Sequence, residues 1–331
     1  MLKAFFGDKR WFWWAYGGLA LLLASLYAQV HMTVILNDWY GRFYDMMGEV
    51  SKHTLDEFWA ELMNFFYIAI PYSVLASITA YFTRLYGFAW REAITMSYLP
   101  KWRNVRVEIE GASQRIQEDA SRFAKIVESL GLQVARAIMV LIAFLPVLWT
   151  LSAHIPLPYF GAVEGSLVWV ALCTSLGGMT ISWFVGYFLP RLEYNNQRVE
   201  ARFRKELVYG EDDKTNFASL PTLLEMFTGV RFNYRRLFLH YGYFDLWSNL
   251  YGQIMVLVPF MIAGPNLFLP VGSVGLITLG FLMKVSNAFD KVHNSFSLFI
   301  DNWTTVTELR SIWKRLHEFE ANINRHQPGA E

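Results

Sequence analysis

Long stretches without a single charged residue constrain this fold more than any other feature of the sequence. An α-helix needs about 20 mostly apolar residues to cross the hydrocarbon core of a bilayer. A segment inside lipid must also satisfy its own backbone hydrogen bonds, which favours helices there. Charged residues make up only 17% of the chain, and apolar residues make up 54%. We therefore predict an all-α integral membrane protein.

The charge-free runs predict six transmembrane helices. The last run, residues 246–283, is too long for one span, and its Gly-Pro segment divides it because these residues interrupt helices. The predicted spans are residues 11–37, 62–83, 137–153, 166–190, 246–263 and 271–298. The first run is too long for the apolar core of a signal peptide, and its leading tryptophans suit the headgroup level.

Lysine and arginine predict the topology. The two long polar regions, residues 84–136 and 191–245, carry nine each, whereas the short connection 154–165 carries none. Basic residues favour the cytoplasmic side of a membrane. We therefore place both long regions in the cytoplasm as helical hairpins that extend the spans, together with both chain termini. Residues 305–325 are predicted to form a charged C-terminal helix, and the whole chain to be one transmembrane domain, 1–331.

Common sequence motifs of nucleotide-binding, catalytic and metal-binding sites are missing. The sequence contains no phosphate-binding loop, no H-E-x-x-H motif, no nucleophile elbow and no paired cysteines at metal spacing. Too few residues follow the sixth span for a nucleotide-binding domain. We predict no enzyme activity, no cofactor and no metal, and a net charge of +1 gives no reason to expect nucleic acid binding. The single cysteine, Cys173, lies in an apolar run and is predicted to be a buried structural thiol.

The remaining candidates for functional residues are the carboxylates beside the predicted membrane boundaries. Glu193 and Glu200 recur at helical spacing directly after the fourth span, on one face. Burial disfavours the charged form of a carboxylate, so such a group in a partly desolvated cavity can load and release protons near neutral pH. The alternative is a solvated extension with ion pairs such as Glu200–Arg204 and Arg202–Glu206. The boundary carboxylates are Glu110, Glu118, Glu128, Glu193, Glu200, Glu206 and Glu225.

A polar stripe marks the sixth predicted helix. Its members are spaced i, i+3, i+7 and i+10 and share one face: Lys284, Asn287, Lys291 and Asn294. Polar side chains that face lipid are costly, so the stripe is predicted to line a cavity. The alternative is that this part of the helix is a cytoplasmic extension.

Four blocks of the sequence resemble the SbmA/BacA peptide-antibiotic transporters, and the similarity runs from about residue 30 to 320. The blocks are EGASQRIQEDASRFAKIVESLG (110–131), IAFLPVLWTLSAHIP (142–156), LEYNNQRVEARFRKELVYGEDD (192–213) and NWTTVTELRSIWKRLHEFE (302–320). The resemblance implies a homodimeric inner-membrane protein of Gram-negative bacteria. It also implies a fold similar to the membrane half of ABC exporters without the ATPase domain, and proton-driven import of peptides.

The resemblance also implies which residues and partners matter. Carried onto matching positions, the acidic residues important in the family are Glu110, Glu118, Asp119, Glu193, Glu200 and Glu206. The expected partners are a peptide or peptide-like antibiotic, protons, membrane lipid and a second copy of the chain. The sequence begins too late to hold the additional N-terminal membrane helix of family members, so we expect a shorter variant or a truncated chain. Two alternatives remain: a membrane subunit served by a separate ATPase chain, and a non-transporting envelope-maintenance protein.

Overall fold

The computed structural model describes residues 1–105, 107, 109, 111–153, 155, 163–273 and 275–326, and its regular structure within them is helical. The α-helices are α1 (Leu2–Phe6), α2 (Leu19–Gly48), α3 (Leu55–Arg103), α4 (Ala112–Gln114), α5 (Ala120–Ser152), α6 (Ser166–Gly186), α7 (Leu189–Asp212), α8 (Leu220–Ala263), α9 (Leu279–Asp301) and α10 (Trp303–Arg325). Two π-helical segments, Trp13–Gly18 and Arg115–Asp119, lead directly into α2 and α5. Short 3-10 helices cover Lys9–Trp11, Val50–Lys52 and Gly264–Phe268.

Within the described ranges, five helical stretches are long and apolar enough to cross a membrane. They are Lys9–Gly48, Leu55–Arg103, Ala112–Ser152, Ser166–Asp212 and Leu220–Phe268. Each overlaps one of the first five predicted spans, and the prediction of an all-α, multi-pass membrane protein is confirmed. The sixth predicted span, 271–298, is not confirmed. Its helix, α9, begins only at Leu279 and carries Lys284, Asp290 and Lys291 among its 23 residues.

Helices α3 and α5 cover most of the first region predicted as a hairpin, and α7 and α8 cover most of the second. Helix α3 has 49 residues and, at a rise of 1.5 Å per residue, is about 74 Å long. Thr54 begins α3 as an N-cap, because its hydroxyl accepts a hydrogen bond from the Glu57 N–H at 3.3 Å. Gly111, with a φ of +71°, precedes the return helix. The cytoplasmic placement of both hairpins stays a prediction.

The chain forms two compact units. The first contains residues 1–171 together with the chain from 259 onward, and the second contains residues 172–258. The core of the first unit joins α1, α3, α5 and α10, and the ring of Phe5 stacks on Trp90 with centroids 5.1 Å apart. Helix α10 spans the segment predicted as the C-terminal helix, and it buries one apolar face in this core: Ile312, Leu316, Phe319 and Ile323.

The second unit consists of most of α6, all of α7 and most of α8. The Trp247 indole N–H donates to the Ser182 hydroxyl at 2.9 Å, and the Tyr251 hydroxyl donates to the Thr174 carbonyl at 3.0 Å. Gly178 allows this close packing, since a Cβ there would lie 2.0 Å from the Tyr251 ring. The prediction that Cys173 is buried was wrong, because it faces outward on α6. The apolar surroundings that suggested a core belong to a helix with an apolar surface.

Candidate functional site

The predicted acidic residues fall in both units. Glu118 and Asp119 end the π-helical segment before α5, in the first unit, whereas Glu193, Glu200 and Glu206 lie on α7, in the second. Glu110 lies outside the described residues. The structure therefore brings Glu118 and Asp119 together on one turn and places the α7 carboxylates along one separate helix.

Asp119 is almost completely buried and is held by two arginines. Arg315 of α10 donates from Nη2 to Oδ1 at 2.7 Å and from Nε to Oδ2 at 3.0 Å. Arg115 donates from Nη1 to Oδ2 at 2.7 Å. The hydrogen bonds to the Asp119 carboxylate raise the pKa of Arg315 above its ordinary value. Through these buried ion pairs Asp119 links the first hairpin region to α10. Its predicted proton-coupling role stays a prediction.

Glu118 belongs to a more exposed network. Its carboxylate pairs with Arg122 at 2.8 Å, and Arg122 in turn contacts Glu308 of α10 at 3.3 Å. The side chains of Glu118 and Arg122 are 42% and 56% exposed, so water shares these contacts. Exposed pairs of this kind contribute little to stability. The contacts of Glu118 are thus shared with solvent, and its predicted proton-coupling role stays a prediction.

Glu128 is one of the boundary carboxylates named from the sequence, but it is not among the six acidic residues carried over from the family. It lies on α5, half-buried against α3, at a point where a Cβ on Gly87 would come within 1.6 Å of its Oε2. No hydrogen bond or ion pair reaches its carboxylate from the described residues, and the charges that act on it are Arg84 and Lys125. Burial disfavours the charged form of a carboxylate. The sequence shows Glu128 beside a boundary, but only the fold shows that a glycine opens space for it.

The three predicted carboxylates on α7, Glu193, Glu200 and Glu206, are all half-buried but differ in their contacts. Glu206 accepts a hydrogen bond from the Ala218 N–H at 3.0 Å and so closes the turn between α7 and α8. Ala218 needs this support because its φ is +55°, an unusual conformation for a residue with a Cβ. Neither ion pair expected from sequence, Glu200–Arg204 or Arg202–Glu206, forms in the described chain. Glu193 and Glu200 therefore keep their carboxylates free of intrahelical pairing.

The polar stripe of α9 meets a polar cleft at Lys284. Lys284 pairs with Asp38 of α2 at 2.5 Å, and the Asp45 carboxylate accepts a hydrogen bond from the Gly280 N–H at 2.8 Å. A polar cleft of about 400 Å³ lies here, lined by Asp38, Gly41, Arg42, Asp45, Thr278, Gly280, Phe281 and Lys284. The other three members of the stripe are not among its lining residues: Asn287, Lys291 and Asn294.

A polar layer that the sequence did not reveal joins α2, α3 and α5. Arg136 donates to the Gln29 side-chain carbonyl, and the Gln29 amide donates to the Thr79 hydroxyl at 2.8 Å. The Ser25 and Thr79 hydroxyls are also hydrogen-bonded to each other. Hydrogen-bonded polar groups inside an apolar bundle fix its register, because each would be costly without its partner. The layer lies where the third predicted span begins.

Comparison with known proteins gives a family and several relatives. A sequence profile described as the SbmA/BacA-like family matches residues 8–324. "Inner membrane ABC transporter ATP-binding protein YddA" of Escherichia coli K12 is 28% identical over 323 residues, which cover 91% of this chain and 56% of that protein. "ABC transporter D family member 2, chloroplastic" of Arabidopsis thaliana is 24% identical over 322 residues, 91% of this chain and 42% of that protein. The chain spans about half the length of the curated relatives it matches.

Proposed function

The chain belongs to the SbmA/BacA-like family, and from this premise we propose that it is a proton-gradient-driven importer of peptides and peptide antibiotics. The observation that carries the proposal is the family match over residues 8–324, nearly the whole chain. The five membrane-length helices agree with a multi-pass membrane transporter. The proposed location is the bacterial inner membrane, with both termini in the cytoplasm and α9 as the sixth span.

The working unit in this proposal is a homodimer. Six helices alone can hardly enclose a watery path as wide as a peptide, whereas two copies around a twofold axis can. The second unit supports this idea, since large apolar side chains such as Trp183, Phe184 and Phe188 are exposed on its surface. Lipid or a second copy of the chain would cover them.

Carboxylates supply the proposed coupling. Protonation on the acidic outer side neutralises them, the cavity changes from outward-open to inward-open, and deprotonation inside resets the cycle. Coupling requires only that the two states differ in proton affinity. The residues proposed for this role are the predicted set, Glu110, Glu118, Asp119, Glu193, Glu200 and Glu206, to which the packing adds Glu128. Among them Glu128, Glu193 and Glu200 combine partial burial with a carboxylate free of ion pairs in the described chain.

Single glutamine substitutions test this assignment. Glu128→Gln, Glu193→Gln and Glu200→Gln should each lower gradient-driven peptide uptake by about a hundredfold, the lower end of the effect of losing a proton-transfer group. Glu318→Gln is the matched control, because Glu318 is 61% exposed on α10 and pairs only weakly with Lys314 at 3.9 Å. All variants should elute as dimers. Wild-type uptake by every one of the glutamine variants would refute the carboxylate mechanism.

A second candidate function is the membrane half of an ATP-driven transporter with a separate ATPase chain. The observation that favours it is that several relatives are named ABC transporter ATP-binding proteins. This function predicts uptake that requires ATP, is blocked by vanadate and is accompanied by a co-purifying ATPase. A non-transporting envelope-maintenance protein predicts no uptake under either driving force.

A further inference from the structure

A narrow apolar groove opens beside the first π-helical segment. It lies in the first unit, between the start of α2 and the middle of α3, and measures about 230 Å³. Its lining is almost entirely apolar and consists of Trp13, Trp14, Gly17, Gly18, Leu21, Leu22, Phe82 and Tyr86. A space of this shape accepts a hydrocarbon chain better than it accepts water.

The position of the groove along α3 matches the predicted end of the second span. Phe82 belongs to the last turn of the second predicted span, and the first charged residue of α3 beyond that span, Arg84, follows it. Trp13 is 80% exposed and Trp14 is 39% exposed, and neither indole N–H has a hydrogen-bond acceptor within the described chain. Tryptophans concentrate at the headgroup level, where one end of the ring meets hydrocarbon and the N–H meets polar groups.

The groove is held open by the local backbone. Residues Trp13–Gly18 are π-helical, a conformation often found at functional sites. The Tyr86 hydroxyl donates to the Ala15 carbonyl at 3.2 Å, and a Cβ on Gly18 would lie 3.0 Å from the Tyr86 ring. A Cβ on Gly17 would meet only the Trp13 ring, at 3.8 Å. A larger side chain at position 17 can therefore occupy the groove without displacing the backbone.

Two basic residues without ion-pair partners among the described residues precede the π-helical segment Trp13–Gly18. Lys9 and Arg10 form the 3-10 helix that precedes Trp13, and both are exposed. Neither forms an ion pair with any described residue. The nearby Asp8 carboxylate caps this helix by accepting a hydrogen bond from the Arg10 N–H at 2.9 Å. With Lys3, the region keeps an excess of positive charge beside an apolar groove.

We propose that this groove binds an anionic phospholipid, with one acyl chain between Trp14 and Phe82 and the phosphate beside Lys9 and Arg10. In this arrangement the indole N–H groups of Trp13 and Trp14 donate to ester or phosphate oxygens of the lipid. Basic residues beside a membrane attract anionic headgroups, and apolar burial adds affinity without distinguishing lipids. The headgroup preference and the acyl chain contact are therefore separable by mutation.

Native mass spectrometry of the purified, delipidated full chain tests the site. Phosphatidylglycerol and phosphatidylcholine with identical acyl chains are titrated separately. The wild-type protein should bind one phosphatidylglycerol at least about tenfold more tightly than phosphatidylcholine. Lys9→Gln with Arg10→Gln should abolish that preference, and Gly17→Leu should remove the site for both lipids. Arg235→Gln with Arg236→Gln is the matched control, because it removes two exposed cations from α8 and should leave the preference intact.

Three results would overturn the proposal. The first is equal affinity of the wild-type protein for both lipids. The second is an unchanged preference for phosphatidylglycerol in the variant with Lys9→Gln and Arg10→Gln, two residues that lie outside the packed helices. The third is efficient crosslinking between two copies that carry Trp13→Cys in a Cys173→Ser background, because a second copy would then cover the groove.

Discussion

Replacing Arg315 by alanine should release α10 from the first hairpin. The substitution removes two charge-assisted hydrogen bonds, of 2.7 and 3.0 Å, from Asp119, whose side chain is only 2% exposed. Breaking a buried pair from one side costs about 3–5 kcal/mol. Here Arg115 still holds the carboxylate, and Arg315 itself is 35% exposed, so part of the loss is screened by water. We therefore expect a loss of about 2–3 kcal/mol, below the full cost of a buried pair.

Hydrogen exchange of the α10 amides measures this loss directly. Since about 1.4 kcal/mol is tenfold in an equilibrium, local opening of α10 should become about 30- to 140-fold more frequent. Arg122→Gln is the matched control, because Arg122 also links the hairpin to α10 but through the exposed Glu308 contact at 3.3 Å. It should change exchange by less than about fivefold. Equal hydrogen exchange of the α10 amides in the two variants would refute the assignment of Asp119 as the buried residue that links the first hairpin region to α10.

Two glycine substitutions test other contacts. Gly280→Ala should lower the thermal midpoint markedly, because its methyl group would lie 1.9 Å from the Gly41 carbonyl oxygen, whereas Gly252→Ala, with no atom within 4 Å, should be neutral or slightly stabilising. Equal midpoints would contradict the close approach of α2 and α9. Gly87→Ala should keep the fold, since its methyl group would meet the movable end of the Glu128 side chain, but should reduce peptide uptake by displacing that carboxylate. Full uptake by this variant would argue against a role for Glu128.

The membrane helices were predictable because the constraint is local. A bilayer rejects charge over about 20 consecutive residues, and any window of the sequence shows whether that condition holds. The start of α9 was not predictable in the same way. The apolar residues after Pro270 satisfy the composition rule, yet the helix begins only at Leu279, where the Thr278 hydroxyl caps the Phe281 N–H and Asp45 of α2 binds the Gly280 N–H. Composition does not show such a contact.

In the candidate site, too, the sequence predicts the local pattern of residues but not their contacts with distant segments. One sequence block contains both Glu118 and Asp119, but the two carboxylates differ in their ion-pair partners and in their exposure. The Arg315 partner of Asp119 lies 196 residues away along the chain. The space around Glu128 is likewise created by Gly87, a residue of another helix. Helical spacing predicted the shared face of the α9 stripe, but which end of that stripe meets a cleft depends on α2.

Uptake of a labelled peptide antibiotic into proteoliposomes, under an imposed inward proton gradient and without ATP, tests the central claim most directly. The proposal predicts uptake that follows the gradient, stops when an uncoupler is added and is lost in the glutamine variant of Glu128. Uptake that ignores the gradient, or that appears only with ATP and an added ATPase chain, would contradict it.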